Sequence, residues 1–114
     1  MKRSVITFFL YSALTLCASE TQLGLNERAA NDAKETIVKL KATYEKLMGM
    51  LEEHQKAKLI NAQKAWLCYR DNQIDFEKSG YGEGSIRPLV QWQALSRLTR
   101  ARIKELEDEI DSIH

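Results

Sequence analysis

The chain has 114 residues, with 17 lysines and arginines against 16 aspartates and glutamates and a net charge of +1. This length accommodates one domain. The charge balance lacks the basic excess of proteins that bind nucleic acid phosphates, so nucleic acid is excluded as the expected partner. Ala, Leu, Lys, Glu and Arg are abundant and there is a single proline, a composition that favours helix throughout.

The first 19 residues predict a signal peptide. A positive segment at 1–3 precedes an apolar run of 12 residues at 5–16, and small residues follow at 17–19. The run is too short to span a bilayer of ~30 Å, which takes ~20 apolar residues. We therefore expect export to the periplasm or beyond.

Two ways of processing this segment are open. A lipoprotein signal would end at Cys17, but the residue before a lipidated cysteine should be small, and Leu16 is not. Ordinary cleavage after residue 18 or 19 is favoured, with a membrane-anchored lipoprotein as the alternative. The mature domain is then 20–114, with 15 basic and 16 acidic residues because Lys2 and Arg3 leave. We expect no transmembrane helix in this mature chain.

The first helix is predicted at about 21–50. Its apolar positions recur in alternating steps of three and four residues, which is the spacing of an amphipathic helix. Gly49 weakens the pattern, since glycine inside a helix costs ~1 kcal/mol relative to alanine. We expect a sharp corner or a kink near 49–53. The stripe consists of Ala30, Ala33, Ile37, Leu40, Tyr44, Leu47 and Leu51.

Two further helices are predicted at about 53–78 and from Ile86 to about 111. Three glycines in seven residues make 79–85 a loop. Ser85 is a suitable N-cap, and Pro88 fits the first turn of the last helix. The stripes are Leu59, Ala62, Trp66, Tyr69, Gln73 and Phe76 in the second helix, and Val90, Ala94, Leu98, Leu106, Ile110 and Ile113 in the third.

Amphipathic helices of this length bury their stripes by packing together, and each large apolar side chain contributes ~1.5–3 kcal/mol. The sequence therefore predicts an all-α fold, a small bundle of two or three long antiparallel helices. If Cys17 is removed, Cys68 stands alone and no internal disulfide is possible. We expect Cys68 to be a small buried group. A dimer through Cys68 or through a helix face is the alternative arrangement.

Trp66, Arg70 and Glu77 share one side of the second helix, and Arg97 and Arg102 of the third helix are expected to point back toward them. One interpretation is an ion-pair lattice that fixes the register between the helices. The alternative is a recognition patch in which Trp66 and Arg70 anchor a partner.

No catalytic pattern emerges from the remaining residues. His54 and His114 are far apart in sequence, and the Glu53-His54 pair lacks the second histidine of a zinc-binding helix. Cys68 has no neighbouring histidine that could activate it. We therefore expect no enzyme, no metal site and no cofactor.

A set of short motifs runs through nearly the whole mature chain with its spacing kept. These are Thr21-Gln22, Leu25-Asn26-Glu27, Gln63-x-Ala-Trp66-x-x-Tyr69-Arg70-Asp71, Phe76-Glu77, Gly84-Ser85 and Arg97-Leu98-Thr99-x-x-Arg102-x-x-Glu105-Leu106. The pattern resembles the LprI-like lysozyme-inhibitor domain family. The resemblance implies a small exported helical bacterial protein that binds a protein partner, c-type lysozyme, and has no catalytic activity. Family members usually carry cysteines where this chain has Arg28, Ile74 and Ala94, so the disulfides the family implies are absent.

If the domain blocks lysozyme, the loop at 79–85 would enter the substrate cleft of lysozyme, with Tyr81, Glu83 and Ser85 as the contact residues. The alternative is a plain helix–helix turn. A second class of function is a structural, assembly or immunity-type partner in the bacterial envelope. That class requires an open apolar helix face, such as a second stripe of Ile60, Leu67 and Ile74.

Overall fold

The computed structural model describes residues 21–113. These form three helices, α1 (Thr21–Met48), α2 (Glu53–Ser79) and α3 (Ile86–Ile113). The all-α prediction is confirmed, and each predicted boundary lies within a few residues of the observed one. The predicted signal peptide, the lipidation site at Cys17 and His114 lie outside the described residues. Between 21 and 113 no helix combines the length and apolar character needed to cross a membrane.

A sharp corner separates α1 from α2. The Gly49 N–H donates to the Glu45 carbonyl at 3.0 Å, and the Met50 N–H donates to the Leu47 carbonyl at 2.9 Å, so the helix closes with its last carbonyls satisfied. Beyond the corner, the Glu52 N–H donates to Oε1 of Gln55 at 3.2 Å, which satisfies a donor at the start of α2. Of the two predicted forms, the structure has the corner.

The three helices run up, down and up. Contacting positions along α1 and α3 increase in residue number together. Asn26 contacts Ser85, and further along Asp32 contacts Arg100, so these two helices are parallel. Across α2 and α3 the partners run in opposite directions. Lys78 meets Gln91, and Gln63 meets Arg102. Consecutive helices are therefore antiparallel, as predicted, and α3 packs against both α1 and α2, more extensively against α1.

The hydrophobic core lies toward the corner. Trp66 and Leu59 of α2 are partly buried and pack against it from one side, and Tyr44 of α1 does the same from another. Near the loop the buried positions of α1 and α3 are small, with Ala33 and Thr99 at 0% exposure and Ala94 at 1%. The buried residues between α1 and α3 are therefore small toward this end. The core cluster is Leu40, Leu47, Ile103, Leu106 and Ile110.

The predicted stripe of α2 is only partly correct. Tyr69 is 54% exposed and Phe76 is 71% exposed, although both match the helical period of Leu59 and Trp66. Since α2 packs mainly on α3, it buries a narrow strip, and Ile74 is its one buried residue. The aromatic positions toward the end of α2 therefore lie beside the packed strip instead of in it.

Cys68 is exposed, so the prediction of a small buried group is wrong. Successive helical residues are ~100° apart, which places Cys68 well around the helix from the packed position of Trp66. An exposed thiol keeps the alternative of a disulfide-linked dimer open to experiment.

Candidate functional site

The loop between α2 and α3 spans residues 80–85. The Gly80 N–H donates to the Glu77 carbonyl at 3.3 Å, and the Tyr81 N–H donates to the Lys78 carbonyl at 3.0 Å, which closes the end of α2. Gly84 has a φ of +146°, a conformation that a side chain would strain. The loop is therefore a defined turn whose direction depends on Gly84.

Side-chain hydrogen bonds tie this loop to the helices on both sides. Nδ2 of Asn26, on α1, donates to the Ser85 carbonyl at 3.2 Å. Nε2 of Gln22 in turn donates to Oδ1 of Asn26 at 2.9 Å, which orients the amide. On the other side, Nζ of Lys78 donates to Oε1 of Gln91 at 2.9 Å and joins the end of α2 to α3. Asn26 therefore tethers the loop to α1, and the Lys78–Gln91 bond joins the two helices that the loop connects.

The three residues predicted to contact a partner, Tyr81, Glu83 and Ser85, are all exposed on this loop. Tyr81 is 47% exposed, and Ile86, the first residue of α3, is 45% exposed. The first turn of α3 is closed by a bond from the Arg87 N–H to the Gly84 carbonyl, at 3.3 Å. No hydrogen bond of the Ser85 hydroxyl occurs within residues 21–113, so the capping role predicted for that side chain is not seen.

Trp66, Arg70 and Asp71 form one local unit on α2. The Arg70 guanidinium carbon lies 5.5 Å from the centroid of the Trp66 ring, within range of a cation–π interaction. The same guanidinium bonds to Oδ1 of Asp71 at 2.8 Å and 2.9 Å. This unit lies within one helix, so it supports the Trp66 position without linking α2 to α3 through charge.

The ion pair between Glu77 and Arg97 does link α2 to α3. Nε2 of Gln73 also donates to Oε2 of Glu77, at 3.2 Å. The Arg97 guanidinium is the main reason that the pKa of Glu77 is lowered below its usual range, and the Gln73 amide adds to the shift while burial opposes it. Glu77 thus occupies the role expected of a register-fixing residue.

Arg102 makes a different contact from the one predicted. Its Nε donates to Oε1 of Gln63 at 2.9 Å, and its terminal nitrogen lies 3.4 Å from Oε2 of Glu105. The predicted lattice is therefore two separate contacts between α2 and α3, Glu77–Arg97 and Gln63–Arg102.

An ion pair between Asp32 and Arg100 joins α1 to α3. The Arg100 guanidinium is the largest cause of the lowered pKa of Asp32. The prediction from sequence did not include this pair, nor the Asn26 tether. The only available signal was the position of Asn26 in the N-terminal motif.

The two lowered pKa values predict a pH dependence of stability. A carboxyl group whose pKa is lower in the folded state stabilises the fold fully above its unfolded pKa, near pH 4. That contribution is lost as the pH falls through the lowered folded pKa. We expect the free energy of unfolding, measured with denaturant between pH 7 and pH 2.5, to decline less steeply below pH 4 in the Asp32→Asn/Glu77→Gln double variant than in the wild type.

A matched control for this experiment is Glu35→Gln/Asp75→Asn, which removes two acids for which no ion pair occurs within residues 21–113. It should retain the wild-type pH profile. If the free energy of unfolding falls less steeply below pH 4 in both double variants, the loss of any two acidic side chains is sufficient. The acid sensitivity would then not depend on these two ion pairs.

No group of three or more His, Cys, Asp or Glu side chains in the described part of the chain is arranged to hold a metal ion. The fold and the loop together define a small all-helical domain that presents a tethered, exposed loop at one end. The chain belongs to the LprI lysozyme-inhibitor family, because residues 17–106 match the family described as "Lysozyme inhibitor LprI".

The chain is also similar to an uncharacterized protein, R02472, of Rhizobium meliloti (strain 1021). The two are 30% identical over an alignment of 108 positions. The aligned part covers 81% of this chain and 76% of that protein. No solved structure matches the chain significantly.

Proposed function

We propose that this protein is an exported inhibitor that binds c-type lysozyme through the 79–85 loop. Membership in an inhibitor family supports a protein partner. The observation that carries the proposal is the loop itself, where Tyr81 and Glu83 are exposed on a backbone tethered to the helices. A pre-organised loop loses little conformational entropy on binding, which favours affinity. Aromatic side chains such as Tyr81 are typical anchors of protein interfaces.

The Tyr81→Ala/Glu83→Gln double variant tests this proposal in a lysozyme turnover assay. Loss of a single interface anchor, here Tyr81, costs about 2 kcal/mol or more, so we expect the inhibition constant to rise about 30-fold or more. The fold should be retained, because both side chains are exposed. Circular dichroism and thermal unfolding of the variant check this.

The matched control is Tyr69→Ala/Glu107→Gln, which removes the same two residue types from exposed helix positions. This variant should inhibit like the wild type. If the loop variant still inhibits fully, the loop is not the contact surface. If the wild-type chain does not bind lysozyme at micromolar concentration, lysozyme is not the target.

Export is part of the proposal and rests on the sequence at 1–19. The mass of the protein recovered from the periplasm or medium would show cleavage after residue 18 or 19. A mass increased by lipid on Cys17 would instead indicate the anchored form. Recovery of the uncleaved chain in the cytoplasm would contradict export.

A structural or assembly partner in the envelope is the second candidate, and exposed apolar residues of α2 favour it. Ile60 is 38% exposed and Leu67 is 36% exposed, whereas Ile74 is buried at 9%, so the second stripe is open over part of its length. Phe76 adds a larger exposed apolar surface. Affinity capture from envelope extracts with added lysozyme distinguishes the candidates. Retention of lysozyme supports inhibition, and retention of envelope proteins alone supports assembly.

A further inference from the structure

An open cavity of about 400 Å³ lies where the loop joins α3. Lys78 comes from the end of α2, and Arg87 comes from the first turn of α3. The side chains lining the cavity bring two positive charges and one negative charge, from Glu83. The lining residues are Lys78, Glu83, Gly84, Arg87, Pro88 and Gln91.

Arg87 is the unusual member of this group. Its Nε atom is buried and has no hydrogen-bond partner within residues 21–113. A buried donor without a partner destabilises the protein, so buried donors are normally paired. A guanidinium presents its N–H groups in a fixed planar fork that matches a carboxylate. Because the Nε atom is shielded from solvent, the donors that Arg87 offers to the cavity are the terminal N–H groups of its guanidinium.

Lys78 supplies a second positive charge at the same place. Its ammonium donates one hydrogen bond, to Gln91, and has three donors in all. Neither Lys78 nor Arg87 forms an ion pair with a carboxylate of residues 21–113, and Glu83 forms none either. The cavity thus retains a net positive charge beside the exposed loop.

We propose that this cavity is a carboxylate-binding site, in which Arg87 and Lys78 receive a catalytic carboxylate of the bound lysozyme. This identification of the carboxylate rests on the proposed function. Glu83 and Gly84 line the cavity and also belong to the loop, so a loop placed in the lysozyme cleft brings the cavity to the cleft. That cleft contains a pair of catalytic carboxyl groups. The site adds a charged contact to the contacts of Tyr81 and Glu83.

The first measurement tests the site without lysozyme. The full mature chain, labelled with ¹⁵N, is titrated with sodium acetate while the Arg87 Nε–Hε resonance is followed, and sodium chloride at the same ionic strength is the reference. We expect acetate to shift this resonance at least twice as far as chloride does, and Lys78→Gln to reduce the shift. Equal shifts in acetate and chloride would overturn the site.

The second measurement identifies the carboxylate through a double-mutant cycle. Arg87→Gln is combined with c-type lysozymes whose catalytic glutamate or aspartate is changed to the amide. We expect Arg87→Gln to weaken binding to wild-type lysozyme at least tenfold, and to have less than a threefold effect on one of the amide lysozymes. Lys41→Gln removes one positive charge from an exposed position of α1 and should change neither affinity more than twofold.

The outcomes separate this inference from the proposed function. If wild-type lysozyme binds but Arg87→Gln behaves like Lys41→Gln, the carboxylate contact is wrong and lysozyme inhibition stands. If no lysozyme binds to the wild-type chain, the proposed function fails and a lysozyme carboxylate fails with it. The acetate titration still decides in that case whether the cavity binds carboxylates.

Discussion

Replacing Leu106 by alanine is expected to lower the free energy of unfolding by about 2–5 kcal/mol. Leu106 is 2% exposed and belongs to the core cluster toward the corner, where Leu59 and Trp66 of α2 pack against the helix pair α1–α3. Removing its side chain loses burial and leaves a cavity in the cluster where residues of all three helices meet. Chemical denaturation at pH 7 measures the effect.

The matched control is Ile113→Ala on the same helix. Ile113 is 46% exposed, so its replacement should cost under about 1 kcal/mol. Domains of this size have a total stability of about 5–15 kcal/mol, so the Leu106 variant loses a large part of its stability. Equal effects of the two substitutions would mean that the described core does not hold the three helices together.

The same core has a consequence for the loop. Asn26 of α1 bonds to Ser85 of the loop, and Lys78 of α2 bonds to Gln91 of α3 beside the loop. They hold the loop only while the helices keep their relative positions, which the distant core maintains. We therefore infer that core stability and loop geometry are linked through the helices, although the core does not contact the loop.

Helix positions could be predicted from sequence because apolar periodicity and helix-ending residues are local signals. Gly49 predicted the corner, and the glycine cluster predicted the loop that ends at Ser85. Burial was predicted less well because it depends on how many neighbours a helix has. Phe76 fits the period of α2, yet it is exposed because α2 packs mainly against one helix.

The close contact of α1 with α3 was also missed. Thr36, Ser96 and Thr99 are buried there, at 7%, 3% and 0% exposure, although hydroxyl side chains are usually counted as polar in a periodicity argument. Small side chains let two helices approach closely, whichever class they belong to. The apolar stripes therefore included Ala33 and Ala94 of this interface but left out its buried hydroxyl residues.

The candidate site shows the same limit. Tyr81 and Glu83 were predicted because a loop between helices is exposed, and they are exposed. The Asn26 tether and the pairing of Asp32 with Arg100 join residues 59 and 68 positions apart in the chain. Their partners depend on α1 and α3 being parallel neighbours, and no local spacing contains that information. The proximity of Arg87 to Lys78 likewise emerges only when α2 and α3 are placed.

Replacing Ala33 by leucine is expected to destabilise the fold by about 1–3 kcal/mol, because Ala33 is 0% exposed and a larger side chain there would have to displace its neighbours. Alanine and leucine are both strong helix formers, so the loss would reflect packing and not helix propensity. Ala42→Leu, at an exposed position of the same helix, is the matched control and should stay within about 0.5 kcal/mol of the wild type. Denaturant unfolding of both variants measures the difference.

A leucine at residue 33 would also force α1 away from α3 near the loop, next to the Asp32–Arg100 pair. We therefore expect Ala33→Leu to weaken the Asn26 tether, and the Nδ2 hydrogens of Asn26, which donate to the Ser85 carbonyl, to exchange faster than in Ala42→Leu. If Ala33→Leu is as stable as its control, α1 and α3 do not pack closely at this level. If it is less stable while exchange at the loop is unchanged, the loop keeps its shape without α1, and the end of α2 with the first turn of α3 is sufficient to hold it.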